Sequence, residues 1–192
     1  MGEVAVRAAK AAHYESAGTI EFLLDKDKKY YFMEMNTRIQ VEHGVTELVT
    51  GIDLIKEQIF IAAGEKLRFK QKDIQIQGHA IECRLNAENP EKNFMPCPGK
   101  IEFLHLPGGN GVRIDSAIYA GYQIPPNYDS MIAKIMVYGK DRDTAIDKMR
   151  SALGEVNVEG IITNLDYQYE IINHPVFRSG DVTTGFLEEY FK

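Results

Sequence analysis

Glu34, Asn36, Arg38, Gln40 and Glu42 occupy every second position of the run Glu34-Met35-Asn36-Thr37-Arg38-Ile39-Gln40-Val41-Glu42-His43. In an extended chain alternate side chains project to opposite faces. These five would therefore line one surface, with Met35, Thr37, Ile39 and Val41 turned the other way. A solvated strand alternates as well, but this row has an unusual inventory: two carboxylates, two amides and a guanidinium, with no lysine or serine. Carboxylate and amide oxygens suit a hard divalent cation, and a guanidinium presents a planar fork of donors to an oxyanion. The row predicts a surface that grips both.

The preceding residues supply a partner. Thr19-Ile20-Glu21-Phe22-Leu23-Leu24 and Tyr30-Tyr31-Phe32-Met33-Glu34-Met35 are β-rich runs flanking Asp25-Lys26-Asp27-Lys28-Lys29, the pattern of a hairpin with a charged turn. A loop centred between Asp27 and Lys28 places Glu21 directly opposite Glu34; an odd-length loop would break that pairing. Two facing carboxylates destabilise a sheet unless a cation lies between them. Asn36, two residues on, offers a third oxygen, and Glu21, Glu34 and Asn36 together match how Mg²⁺ is held at nucleotide sites.

The 192 residues, 44% hydrophobic and 26% charged, suffice for one large or two small globular domains. A net charge of −6 argues against a general nucleic-acid binder. No apolar run approaches the roughly 18 residues of a membrane helix, and Met1-Gly2-Glu3-Val4 carries no secretory signal. Cys83 and Cys97 are too few and too scattered for a disulfide framework or a zinc site, and read as reduced thiols of a cytoplasmic protein.

Residues 3–13 read as an Ala-rich helix. Thr50 is expected to cap a helix carrying Leu54, Ile55, Gln58, Ile59 and Ala62, with Asp53 reaching back and Gly64 as its stop. Beyond Leu67 short strands punctuated by Gly and Pro take over, which puts a domain boundary there: residues 1–67 and 68–192. Residues 78–85 alternate, with Ile81, Cys83 and Leu85 on one side and Ala80, Glu82 and Arg84 on the other. Residues 100–106 and 111–115 read as strands around the tight turn Pro107-Gly108-Gly109-Asn110, and residues 130–138 as a further strand. Helices are expected from Asp143, with Ala145, Ile146, Met149 and Leu153 inward; after Asn164, with Leu165, Tyr169 and Ile172 inward; and over residues 186–191.

The run Glu34 to Glu47 closely resembles the signature of biotin carboxylases within the ATP-grasp superfamily. So do Gly78-His79-Ala80-Ile81-Glu82-Cys83-Arg84-Leu85-Asn86-Ala87-Glu88, Pro98-Gly99-Lys100-Ile101, Pro107 to Arg113, and Tyr128-Asp129-Ser130-Met131-Ile132-Ala133-Lys134. These blocks come in the family's order across essentially the whole chain. The resemblance implies an α+β fold: the C-terminal part of an ATP-grasp core, then a biotin-carboxylase C-terminal domain with a mainly antiparallel sheet and flanking helices. The family's Gly-rich turn and lysine-bearing lid have no counterpart here, so the chain resembles the C-terminal portion of such an enzyme, inactive alone.

By that resemblance Glu21, Glu34 and Asn36 are ligands of the Mg²⁺ or Mn²⁺ that bridges the ATP phosphates. Arg38, Gln40 and the backbone at Val41 form the bicarbonate pocket, Glu42 is the general base, and Arg84 faces biotin. ATP, bicarbonate, the biotin carboxyl carrier protein and carboxyltransferase subunits are the implied partners, in a homodimer, with neither nucleic acid nor membrane. The plainer alternatives are a surface carboxylate cluster at Glu21 and Glu34, an Arg38–Glu42 surface ion pair, and a strand Arg84 paired with Glu82 or solvent. His43, His79, Cys83 and Tyr128 read as structural. Gly44 stands where the family commonly has Pro, which implies a looser backbone after Glu42. The lack of a biotin-attachment Met-Lys-Met motif fits a separate subunit of a bacterial acetyl-CoA carboxylase. Two rival readings are a non-catalytic dimerisation module using residues 100–113, and another ATP-grasp ligase such as carbamoyl-phosphate synthetase, which shares the Glu-x-Asn pattern.

Overall fold

The computed structural model describes residues 1–191, and the chain divides into two compact units, Met1–Ile76 and the residues from Gln77 onward.

In the first unit, α1 (Gly2–Ala11) precedes an antiparallel hairpin of β1 (Thr19–Leu24) and β2 (Tyr30–Asn36). Asp25 shapes the turn: its Oδ1 accepts from the backbone N–H of Asp27 (2.9 Å) and of Lys29 (2.8 Å), while Lys28 takes a left-handed φ of 61°. Because Asp25 N–H also bonds Lys29 O at 2.9 Å, the turn is odd and centres on Asp27. Leu24, Leu23 and Phe22 accordingly pair with Tyr30, Tyr31 and Phe32. Met33 is then an extra residue, a β-bulge that shifts the register by one, and Glu21 lands opposite Glu34. The pairing expected from an even loop therefore holds, but through a bulge that offsets an odd one.

The last rung of the hairpin is Thr19–Asn36. Beyond it β2 has no partner strand, so the extended row does not continue as a strand: Arg38 to Gln40 are irregular, and Val41 and Glu42 turn into α2 (His43–Thr50). Thr50 does not cap the following helix. It closes α2, its hydroxyl donating to Thr46 O at 2.6 Å, and Gly51 ends the helix at φ 72°. Asp53 is itself the cap of α3 (Leu54–Ala62), accepting from Lys56 N–H at 2.8 Å. Gly64 stops α3 as expected, at φ 84°. Gly44 is the one buried residue of α2, in its first helical turn. The hairpin leaves Leu23, Leu24, Tyr31 and Phe32 more than half exposed.

The second unit holds every buried apolar side chain among the described residues. Its sheet has the order β3-β8-β7, all antiparallel, built from β3 (His79–Asn86), the central β8 (Met131–Gly139) and β7 (Val112–Ser116). Two short ladders flank it: β4 (Glu88–Asn89) with β5 (Met95–Pro96), and β6 (Phe103–His105) with β9 (Asn157–Glu159). Strands β6 and β7, on either side of the turn at residues 107–110, thus pair with different partners rather than with each other. Lys148 holds that turn elsewhere, its ammonium donating to Asn110 O (3.1 Å) and Tyr138 O (2.8 Å). The strand predicted over residues 100–106 shrinks to three residues, with Lys100 in a lone bridge to Gln123.

Helix α4 (Arg142–Glu155), capped by Asp141, packs Ala145, Ile146, Met149, Ala152 and Leu153 on Cys83, Leu85, Ile135 and Val137 of the sheet. Burying each larger side chain contributes about 1.5–3 kcal/mol. In α5 (Leu165–Asn173) Ile172 is buried, but Tyr169, expected inward, is exposed at 39%. Short helices α6 (Pro175–Ser179) and α7 (Phe186–Tyr190) complete the unit. The sheet's other face carries charge. Glu82, Met136 and Arg113 form one rung across β3, β8 and β7; Arg84, Lys134 and Asp115 form the next.

Candidate functional site

Two carboxylates and two amides meet at the end of the hairpin. Asn36 Nδ2 donates to Glu21 Oε1 at 2.8 Å and to Glu34 Oε1 at 3.1 Å, and Gln40 Nε2 donates to the same Glu21 oxygen at 2.9 Å. Both carboxylates therefore face the same side, and one amide nitrogen sits between them. Arg38 joins through Nη2, 3.4 Å from Asn36 Oδ1, while its Nη1 donates to Ile39 O at 3.1 Å. The polar row converges even though its second half is not a strand. Side chains reaching back from the irregular segment do what a regular pleat was expected to do.

This donor set suits a divalent cation. Two carboxylates drawn toward one point leave lone pairs that a small hard cation satisfies better than one N–H₂ group can, and an Asn amide turned about its last torsion presents oxygen instead. The set has two acidic members; no cluster of three or more His, Cys, Asp or Glu suited to a metal occurs among the described residues.

Beside it lies a cavity of about 110 Å³ lined by Gly18, Thr19, Arg38, Gln40, Glu42 and His43, among others. Glu42 is exposed at the N-cap of α2 and contributes no side-chain capping bond. Val41 sits in the turn just before it, half-buried. His43 donates from Nδ1 to Gln40 O at 2.9 Å and lies 4.0 Å from Glu47, a structural arrangement that braces the turn. Gly18 went unnoticed in the sequence. A Cβ there would lie 2.8 Å from the Tyr14 ring and 3.1 Å from Asn36 O, so the cavity wall requires a residue without a side chain. An isolated Gly just before a strand was the available signal.

Arg84 belongs to the second unit, on the charged sheet face, 45% exposed, with Nε 3.8 Å from Glu82 Oε1. The plainer reading, a pairing with Glu82 or solvent, is thus realised as a contact to Glu82 on a side chain left nearly half exposed. Tyr128, expected as a packing or turn residue, lies in a bend and is 77% exposed; its neighbours are anchored, Asp129 accepting from Met131 N–H at 2.8 Å and Ser130 donating to Glu88. Residues that sequence reasoning did not single out are Lys134 and Asp115. Lys134 Nζ lies 3.5 Å from Asp115 Oδ2, and Arg113 makes two 2.9 Å bonds to the same carboxylate. Those bonds, Arg113 first and Lys134 after it, hold the Asp115 carboxyl below its usual range. The alternating pattern of β3 marks the face, but no local signal pairs it with β7 across β8.

The biotin carboxylase C-terminal domain family matches residues 82–189, more than half of the chain. The chain belongs to the biotin carboxylase family. Residues 1–70 match the ATP-binding domain of the carbamoyl-phosphate synthase L chain. Biotin carboxylase 1 of Bacillus subtilis is 59% identical over 191 residues, which is 99% of this chain and 42% of that protein. The biotin carboxylase of a Nostoc species is 55% identical over 100% of this chain and 43% of its own length. The chain thus spans about two fifths of the length of these relatives. Among solved structures, the biotin carboxylase domain dimer of the Hydrogenobacter thermophilus 2-oxoglutarate carboxylase, with MgADP, ADP and bicarbonate, superposes with a TM-score of 0.96 at 50% identity, over 98% of this chain and 42% of that one. A Campylobacter jejuni biotin carboxylase structure gives 0.92 at 46% identity, over 98% of this chain and 42% of that one.

Proposed function

We propose that this chain supplies the metal-holding, bicarbonate-binding and biotin-facing side chains of an ATP-dependent biotin carboxylase, as the C-terminal portion of the enzyme. The observation that carries this reading is the Asn36 amide lying between the Glu21 and Glu34 carboxylates, with Gln40 and Arg38 attached to the same cluster. Glu21, Glu34 and Asn36 would hold Mg²⁺ or Mn²⁺, which when bound neutralises charge on the phosphate oxygens of ATP.

Arg38 then holds bicarbonate through its guanidinium fork, with Gln40 and the backbone at Val41 completing the pocket. Glu42, on the wall of the same cavity, accepts the bicarbonate proton. Arg84 stabilises negative charge on the ureido oxygen of biotin, a donor contribution typically worth on the order of 10²–10³ in rate. In this reading residues 1–67 end the ATP-grasp core and residues 68–192 form the C-terminal domain. The exposed apolar side chains of the hairpin support a core that is completed by further polypeptide. A cytoplasmic homodimer served by a biotin carboxyl carrier protein and carboxyltransferase subunits follows from the same reading. No helix among the described residues is long and apolar enough to cross a membrane.

The test is a chimera in which this chain replaces the matching segment of the Bacillus subtilis relative. Outer partners of metal ligands cost about 10–100-fold when mutated, so Glu34→Gln, at a direct ligand, should weaken metal-dependent ATP turnover at least that much. Because the substitution removes one of two facing like charges, hairpin stability should not fall. Unchanged turnover and metal affinity would refute the assignment.

A further inference from the structure

On the charged face of the β3-β8-β7 sheet, Arg84 lies directly across from Lys134, and Lys134 directly across from Asp115. Two cations in facing positions of adjacent strands are unfavourable by themselves. Lys134 is also nearly buried, its side chain 10% exposed, on the central strand, where a lysine is expensive to keep. An apolar residue there would pack as Met136 does, two residues along the same strand and fully buried. A charge kept there has to be matched by acidic side chains of the same face.

Asp115 is one. Arg84 and Asp115 sit two strand spacings apart, about 9–10 Å between backbones, a gap that an arginine and an aspartate side chain close from their two ends. Asp115 is occupied by Arg113, through both Nε and Nη2 at 2.9 Å, and by Lys134 at 3.5 Å. On its other side Arg84 has Glu82, two residues earlier on its own strand, with the carboxylate 3.8 Å from Nε and the Glu82 side chain only 6% exposed. Lys134 and Arg113 thus hold the carboxylate that lies across the sheet from Arg84, whose own side chain stays 45% exposed.

We propose that Lys134 is a positioning residue for Arg84: with Arg113 it occupies Asp115, so that the Arg84 guanidinium is kept off that carboxylate and held outward for the anionic group it serves. This rests on the reading of Arg84 as the biotin-facing cation, and it adds a residue whose action is indirect. Lys134 touches no reacting atom. Its charge decides where another charge points.

Two measurements test it separately. In the 192-residue chain, modification of Arg84 by phenylglyoxal, followed by peptide mass spectrometry, reports how far the guanidinium is presented. Lys134→Met, or Lys134→Gln should the first variant fold poorly, lets Arg84 swing to Asp115, and modification should slow about two- to five-fold, the range a partly exposed ion pair commands. Lys134→Arg should keep the native rate, and adding Asp115→Asn to Lys134→Met should restore it by removing the attractor. An unchanged rate in both uncharged variants, or no restoration in the double variant, overturns the proposal. In the chimera, Lys134→Met should raise the KM for biotin and leave bicarbonate-dependent ATP cleavage without biotin unchanged, whereas a merely structural role would alter both. If Arg84 labelling responds as described and biotin kinetics do not move, the positioning stands and the biotin assignment of Arg84 falls.

Discussion

Strand β3 is an edge strand, so half of its backbone groups point away from the sheet and need partners elsewhere. Asn164, at the start of α5 and 5% exposed, provides them: its Oδ1 accepts from Asn86 N–H at 2.9 Å and its Nδ2 donates to Arg84 O at 3.1 Å. The side chain imitates a short piece of strand beside Arg84 and makes no capping bond to its own helix. Asn164→Ala removes two hydrogen bonds worth about 1 kcal/mol each and leaves two shielded backbone groups unpaired, so the loss should be about 2–4 kcal/mol. With a urea dependence of about 2 kcal/mol per molar, the unfolding midpoint should fall by about 1–2 M. The chain has no Trp, so far-UV circular dichroism and tyrosine fluorescence are the probes. Asn164→Asp sharpens the test. Aspartate caps helices as well as asparagine does, so a helix-cap role predicts no change, whereas edge pairing predicts a loss because a carboxylate then faces the Arg84 carbonyl. A loss below about 0.5 kcal/mol in the alanine variant, or a neutral aspartate variant, would refute the reasoning.

The charged and buried groups of the second unit give further expectations. Burial, and secondarily the Glu82 charge, push the Cys83 thiol up to about 12, which leaves a thiolate fraction at pH 8 about 10³-fold below that of an ordinary cysteine. Iodoacetamide should therefore label Cys97, which is only half-buried, long before Cys83 in the native chain, and equal rates would contradict that burial. Asp115 has a depressed folded-state value, so its contribution is fully present above the ordinary aspartate range and is lost as pH falls through the folded value. Asp115→Asn should lower the melting temperature at pH 7, with the difference shrinking below about pH 4; a difference constant from pH 7 to pH 3 would show that the charge plays no part.

Much of the fold was legible because its signals are local. The two β-rich runs around Asp25 to Lys29, the alternation of residues 78–85, and the apolar stripe of α4 each specify an element through a period of 2 or 3.6, and each formed. Pairing of Glu21 with Glu34 was reached from turn length, yet the real turn is odd and only the extra residue Met33 restores the register. Turn closure depends on the Asp25 carboxylate accepting from two backbone N–H groups and on a left-handed Lys28, and the lysine's φ is not announced by its residue type. Helix α2 was missed because its weak helix formers, among them Gly44, Val45 and Thr46, look like the tail of a strand.

Composition and spacing by themselves determined which chemical groups this protein carries: two carboxylates, two amides and an arginine within nine residues, and a further arginine on an alternating strand. Tertiary structure alone decided what each of them meets within its own unit. Past Asn36 there is no partner strand, so Gln40 and Arg38 return to the cluster through side-chain bonds instead of pleat geometry. Asp115 and Asn164 reach the neighbourhood of Arg84 from 31 and 80 residues away along the chain. The physical reason is that covalent order sets only near-neighbour periodicity, whereas contacts at such separations exist because an edge strand's unpaired backbone and a sheet's facing charges must be satisfied by whatever the packed core brings alongside.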